Sequence, residues 1–280
     1  MIDFHTHTFP EKIASAAIAK LQSASHSRAF TDGTTEGLTA SMAQAGVDCS
    51  VVLPVATNPL KVSSMNDVSL RLTGQEGLIY FGCMHPDAPN WHEELGRIAQ
   101  AGLCGIKIHP VYQHADIDDV RFLRILERCG ELGLIVVMHA GDDIGFPGEV
   151  RCTPEMTARA LRQAGPVKLV AAHMGGWRNW EEVAEHLLNT SAYLDTAFSL
   201  GDITPLEDGY YTPEELRMMS GEAFCQLVRA FGSQRILFGT DSPWDDQAKA
   251  AAALRSLPLS PQELEQIFSR NAENLLGLTP

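Results

Sequence analysis

Six of the ten histidines in this 280-residue chain, His5, His7, His85, His109, His139 and His173, fall at the ends of short apolar runs. His5 and His7 form the most informative pair. Successive side chains of a strand point to opposite faces, so a His-x-His spacing presents two imidazoles to the same point in space. Neutral imidazoles joined by a carboxylate suit zinc and similar first-row divalent ions, and three or four such ligands leave a position open for water. Asp241 ends the run at 235–241 and can supply that carboxylate. Any one of these histidines, taken alone, also reads as a buried residue satisfied by a backbone partner. Their repeated placement at run ends is what points to a shared site.

The elements that must position them alternate in type. Apolar and β-branched runs near 2–7, 47–54, 78–85, 103–109, 134–139, 167–173, 192–197 and 235–241 read as strands. Helical spacing fills 11–22, 35–46, 60–75, 91–101, 118–132, 153–164, 178–190 and 213–231, then 245–256 and 261–276. Thr212-Pro213-Glu214-Glu215 and Ser260-Pro261-Gln262-Glu263 each place a hydroxyl cap, a first-turn Pro and a Glu at the third helical position, as a helix start does. Eight strands alternating with helices predict right-handed βαβ units and an α/β (β/α)8 TIM barrel with an additional C-terminal helix. A doubly wound open sheet gives the same local pattern. Without linker, repeat or low-complexity segment, residues 1–280 read as a single domain.

In a barrel the carboxyl ends of the strands converge on one mouth. The alternation within each strand tests the candidates. Asp3, His5 and His7 share a face, as do Ile135, Val137 and His139, then Leu169, Ala171 and His173, then Leu237, Gly239 and Asp241. Every candidate is in phase with small or apolar residues able to line a barrel interior. Lys107 and His109 share a face opposite Ile106 and Ile108, and could reach the same mouth. Lys107 also reads as an ion-paired lysine, and His109 as a ring packed under Pro110. Trp177 and Arg178 follow the sixth strand and Trp244 follows Asp241, offering flat apolar walls and a guanidinium for an anionic group, although packing between loops explains the tryptophans equally well. Residues 140–152 and 198–212 are long connections on that side and are expected to select the substrate.

Composition excludes several classes. With 35 acidic against 21 basic residues the net charge is −14, which repels polyanions and argues against nucleic acid as a partner. No stretch offers the ~18 consecutive apolar residues of a membrane helix. Six cysteines without a Cys-x-x-Cys pair, and an amino terminus without a basic and an apolar region, are expected of a cytoplasmic protein with reduced thiols.

The ordered set Asp3-Phe4-His5-Thr6-His7, Gly105-Ile106-Lys107-Ile108-His109-Pro110, Met138-His139-Ala140-Gly141, His173-Met174-Gly175-Gly176, Gly239-Thr240-Asp241-Ser242-Pro243 and Asn271-Ala272-Glu273-Asn274-Leu275-Leu276 resembles the amidohydrolase superfamily. Within it, the match is to the amidohydrolase-related branch that also contains aminocarboxymuconate semialdehyde decarboxylase-like proteins. The resemblance implies one Zn2+ held by His5, His7, His139 and Asp241, with Mn2+, or a second metal bridged by a carboxylated Lys107, as alternatives. It implies Asp241 and His173 as acid–base groups, and places Lys107 and His109 on the substrate side, with Arg178, Trp177 and Trp244 as further substrate-binding candidates.

The expected activity is metal-dependent hydrolysis of an amide, lactone or ester-like bond in a small, anionic molecule. Non-oxidative decarboxylation is the alternative. The deoxyribonuclease branch is disfavoured by the acidic balance and by Lys107, where those enzymes carry a glutamate, and a non-enzymatic module is disfavoured because no expected ligand is missing. A homo-oligomer is compatible with the sequence, which does not fix the assembly.

Overall fold

The computed structural model describes residues 1–278, so residues 279 and 280 of the expected 1–280 domain lie outside the described residues. The strands are β1 Ile2–Thr6, β2 Cys49–Val52, β3 Leu78–Tyr80, β4 Gly82–Cys83, β5 Gly105–Ile108, β6 Ile135–Met138, β7 Lys168–Ala171, β8 Tyr193–Asp195 and β9 Ile236–Leu237. Between and after them run α1 Glu11–Ser25, α2 Thr35–Ala45, α3 Val62–Leu72, α4 Trp91–Gln100, α5 Val120–Leu132, α6 Pro154–Ala164, α7 Trp180–Leu187, α8 Gly221–Phe231, α9 Gln247–Arg255, α10 Pro261–Glu265 and α11 Asn271–Leu276. By its internal contacts the chain divides into two compact units, one of residues 51–143 with 148–194, the other of residues 1–50 with 144–147 and from 195 on.

In the first of these units β4, β5, β6, β7 and the start of β8 pair in order, all parallel. Apart from the buried Lys107, the residues they place in the core are apolar, with Ile106, Ile108, Val136, Val137, Met138, Val170 and Ala171 among them, which is how a parallel strand buried on both faces reads. Register then sets the height of the residues that follow each strand. Ile108 lies opposite Met138 and Met138 opposite Ala171, and the ladder continues as His139 N donates to Ile108 O and Ala172 N to Met138 O. His109 and His139 therefore leave the sheet at one level, opposite Ala172, and His173 follows one residue later. Two of the helices between start on side-chain caps, Asp119 for α5 and Thr153 before Pro154 for α6.

In the other unit β1 lies beside β9. Phe4 N donates to Phe238 O, Asp241 N to His5 O and His7 N to Ser242 O, at 2.7, 2.8 and 2.7 Å. A Cβ on Gly239 would stand 2.9 Å from His5 Cβ and 3.5 Å from Asp195 Cβ, so glycine is what lets these strands approach. Phe4, Phe224, Phe231 and Phe238 fill the core, and Phe238 meets Phe268 with ring centroids 5.0 Å apart. The C-terminal segment opens on a complete Ser260–Glu263 capping box and passes through a π-helical turn at Gln266–Arg270 before α11.

Two expectations of local structure need correction. The helix expected over 213–231 begins only at Gly221, although Thr212 and Glu215 do make reciprocal capping hydrogen bonds. The backbone that would continue that turn is captured elsewhere: Ile203 N donates to Leu216 O, Met218 N to Gly201 O and Met219 N to Ser199 O. The third strand, expected over 78–85, is interrupted at Phe81, whose N–H turns to Val52 O. Among the described residues no helix is long and apolar enough to cross a membrane.

Candidate active site

β1 carries His5, fully buried, and leads directly to His7; β9 leads to Asp241. Asp241 Oδ1 lies 3.3 Å from His5 Nε2 and 3.0 Å from His7 Nε2. The rings of His5 and His7 meet at 71°, so the lone pairs in their planes can converge. On the other side of His5, Nδ1 stands 2.8 Å from Asp195 Oδ2, and both side chains are shut off from solvent. That carboxylate fixes the tautomer: Nδ1–H donates to Asp195, leaving the Nε2 lone pair facing an oxygen of Asp241. Two acceptors at that distance need a cation between them, either a proton or a metal ion. Ligand atoms of one divalent ion, with bonds of about 2.0–2.2 Å, stand about 3 Å or slightly more apart, so the donor set and its spacing fit a metal.

Asp241 adopts a left-handed φ of 64°, costly for a residue with a Cβ. Its N–H donates to His5 O, and its own carbonyl accepts from Trp244 N at 2.8 Å. The neighbouring Thr240 is held by the buried carboxyl of Asp3, which accepts from Thr240 N at 3.0 Å, Thr240 Oγ1 at 2.6 Å, Gln247 Nε2 at 2.7 Å and His5 N at 3.2 Å. Burial raises the Asp3 carboxyl to about 7 against the pull of these four donors.

The second cluster belongs to the other unit. His109 Nε2 donates to Asp143 Oδ2 at 3.2 Å, and His139 Nε2 donates to Asp142 O at 3.0 Å while lying 3.8 Å from Asp143 Oδ2. His173 Nε2 is 3.1 Å from His139 Nδ1. The rings of His109 and His139 are stacked, 4.1 Å between centroids and 13° from parallel. Lone pairs in nearly parallel planes do not meet at one point. The arrangement is a row of imidazoles, His109 stacked on His139 and His139 hydrogen-bonded to His173, with Asp143 bound to His109 at its end. Burial, and next the charges of His109 and His173, hold His139 well below its ordinary pKa, with Lys107 acting the same way and Asp143 opposing. His139 is therefore neutral at physiological pH, the state required of a metal ligand. Gln113 supports the row from behind: its Oε1 accepts from His109 N at 3.0 Å, and its Nε2 donates to Ala56 O and Met84 O.

The structure thus brings His5, His7 and Asp241 together in one unit and His109, His139 and His173 together in the other. Lys107, only 1% exposed, pairs in register with Cys83 and Val137. Arg178 lies over the Trp177 ring, 4.6 Å from its centroid, just beyond β7, and Trp244 is half-buried three residues after Asp241. Three residues of these clusters escaped the reading of the sequence: Asp195, Asp143 and Gln113. Asp195 was open to the in-phase rule, since it shares a strand face with Tyr193 and Ala197 near the end of a predicted strand. Asp143 and Gln113 sit in loops, where no periodicity marks them.

A model of the amidohydrolase family matches residues 2–278 of the chain. No curated protein sequence matches it. Among solved structures, 5-carboxyvanillate decarboxylase from Sphingomonas paucimobilis is 15% identical with a TM-score of 0.72, covering 100% of this chain and 99% of its own. A candidate 2-pyrone-4,6-dicarboxylic acid hydrolase from Pseudomonas putida is 20% identical with a TM-score of 0.66, covering 100% and 98%. Dihydroxybenzoic acid decarboxylase from Polaromonas, solved with bound manganese and the inhibitor 2-nitroresorcinol, is 15% identical with a TM-score of 0.68, covering 99% and 96%. The likeness establishes the (β/α)8 fold with its added C-terminal helix, as the sequence implied.

Proposed function

Since this chain belongs to the amidohydrolase family, we propose that it is a metal-dependent hydrolase of a small anionic molecule, cleaving an amide, lactone or ester-like bond. The observation that carries this reading is the pair of facing acceptors, His5 Nε2 and Asp241 Oδ1 at 3.3 Å, with the other nitrogen of His5 committed to Asp195. His5, His7 and Asp241 would hold the ion, and the family resemblance adds His139 as the remaining protein ligand. Zinc is the expected ion; manganese, present in the Polaromonas decarboxylase, is equally compatible with imidazole and carboxylate donors. Such an ion supplies Lewis acidity and lowers the pKa of water from 15.7 towards ~7.

The chain's own residues do the rest. Asp241 takes the proton from the attacking water and returns it to the leaving group, His5 and His7 keep its carboxylate in place, and Asp195 keeps His5 in the tautomer this requires. His173 is the second acid–base group. Lys107, His109, Arg178, Trp177 and Trp244 face the substrate in this reading, with Lys107 and Arg178 supplying positive charge to an anion. The six thiols, free in the structure, suit a reducing compartment such as the cytoplasm.

Decarboxylation is the second reading. What favours it is that two of the similar solved structures are decarboxylases of aromatic acids. Incubating the metal-loaded protein with carboxylated lactones, amides and phenolic acids, while following acid production and carbon dioxide release together, separates the two. Acid without carbon dioxide is the expected result; carbon dioxide as the sole gain transfers the assignment to decarboxylation. Absence of divalent-ion binding overturns both.

A further inference from the structure

The carboxyl group of Asp3 is buried beside the proposed ion-binding residues without facing them. Its Oδ1 accepts from the backbone N–H of His5 and of Thr240, its Oδ2 from the Thr240 hydroxyl and the Gln247 amide. The Thr240 hydroxyl in turn accepts from Ser242 N at 3.1 Å. One hydroxyl therefore ties down both chain neighbours of Asp241, and one carboxyl group ties that hydroxyl to the backbone of His5. Asp241 sits between those anchors with a φ of 64°.

A left-handed aspartate relaxes unless its surroundings over-determine it. A buried carboxyl is itself expensive, and an apolar residue of similar volume would stabilise a strand better. The two costs fall on Asp241 and Asp3, which Thr240 joins. We propose that Asp3 is a positioning residue: acting through Thr240, with Gln247 as its brace at the start of α9, it sets the turn that aims the Asp241 carboxylate at the Nε2 atoms of His5 and His7. This rests on the reading of His5, His7 and Asp241 as the ion-binding group. Asp3 touches neither ion nor substrate in it.

The test uses the full chain stripped of metal and titrated with Mn2+ alone by calorimetry, together with separate kcat and KM values for the loaded enzyme. Asp3→Asn puts an NH2 group where the carboxyl group accepts hydrogen bonds, and Thr240→Val keeps the shape but removes both bonds of the hydroxyl. Each is expected to weaken Mn2+ binding by roughly 10- to 100-fold and to lower kcat with little change in KM. Thr240→Ser keeps the hydroxyl and is expected to restore both values towards the wild type, which a loss of packing at this position would not do. If Asp3→Asn does not fold, the Thr240 pair carries the comparison alone. Wild-type Mn2+ affinity and kcat in Thr240→Val, or a Thr240→Ser variant as damaged as Thr240→Val, overturns the proposal. Failure of the unaltered protein to bind Mn2+ overturns the functional reading and this inference together, whereas normal binding with unaffected variants overturns the inference alone.

Discussion

In one unit His5 and His7 cross at 71° with both Nε2 atoms on one oxygen of Asp241, whereas in the other His109 and His139 stack 13° from parallel and bond to separate partners, Asp143 and His173. The residue types are the same. What differs is the angle between ring planes and the side from which a carboxylate approaches. Asp195 meets the rear nitrogen of His5 and turns the forward one towards Asp241 Oδ1, 3.3 Å away. Asp143 meets the forward nitrogen of His109 and satisfies it. His5 thus points to a metal because its second nitrogen is already committed, which directs the remaining lone pair at Asp241.

The largest effects should come from breaking the convergent group. His5→Ala or Asp241→Ala is expected to abolish stoichiometric binding of a divalent ion and to lower turnover by about 10³-fold or more. Near-normal activity in either variant, measured with the metal content of the purified protein, would erase the distinction drawn between the clusters. His139→Ala sharpens it: loss of the ion assigns His139 to the metal as the resemblance implies, and retention leaves it in the hydrogen-bonded row. Next in size is Asp195→Asn. The amide can still sit beside His5 but no longer enforces its tautomer, so ion affinity should fall roughly 10- to 100-fold while folding persists. An unchanged titration curve would mean that the rear carboxylate is not what directs the lone pair.

Much of this was legible because it is periodic. The strand and helix alternation follows from period-2 and 3.6-residue patterns, and the His5-x-His7 spacing, with the phase of His139, His173 and Asp241, follows from the same rule. Ring orientation was not legible. It depends on partners remote in sequence, and the carboxylate that orients His5 lies 190 residues away. The same limit explains the segment 213–220: Thr212 and Glu215 form their local capping box, but helix propagation there loses to backbone pairing with 199–203, which no local signal reveals. Asp143 and Gln113 act on His109 from loops, and loops carry no repeat by which to find them.

A smaller effect tests the row. Asp143→Leu removes the acceptor of a buried imidazole N–H, a loss of about 1–3 kcal/mol, and should lower the melting temperature by several degrees without changing how many ions bind. A lost ion instead would place Asp143 among the ligands and merge the two kinds of cluster.

The smallest effect concerns Asp245, a carboxyl with neither arrangement. It accepts from Asp246 N at 2.8 Å and borders a small cavity lined with Leu200, Phe224 and Leu254. Burial raises it from 3.8 to about 6; the Lys249 charge and the Asp246 N–H pull it down, and the Asp246 and Asp241 charges push it up. Between about pH 4 and 6 the native protein keeps a proton that the unfolded chain releases, so this group makes stability fall as pH rises through that window and leaves it level above. Asp245→Asn cannot ionise and can still accept from Asp246 N. Its melting temperature should match the wild type near pH 4 and exceed it by about 2–4 °C at pH 7.5. A variant less stable than the wild type at pH 7.5 would show that the native protein stabilises an ionised Asp245 rather than a neutral one.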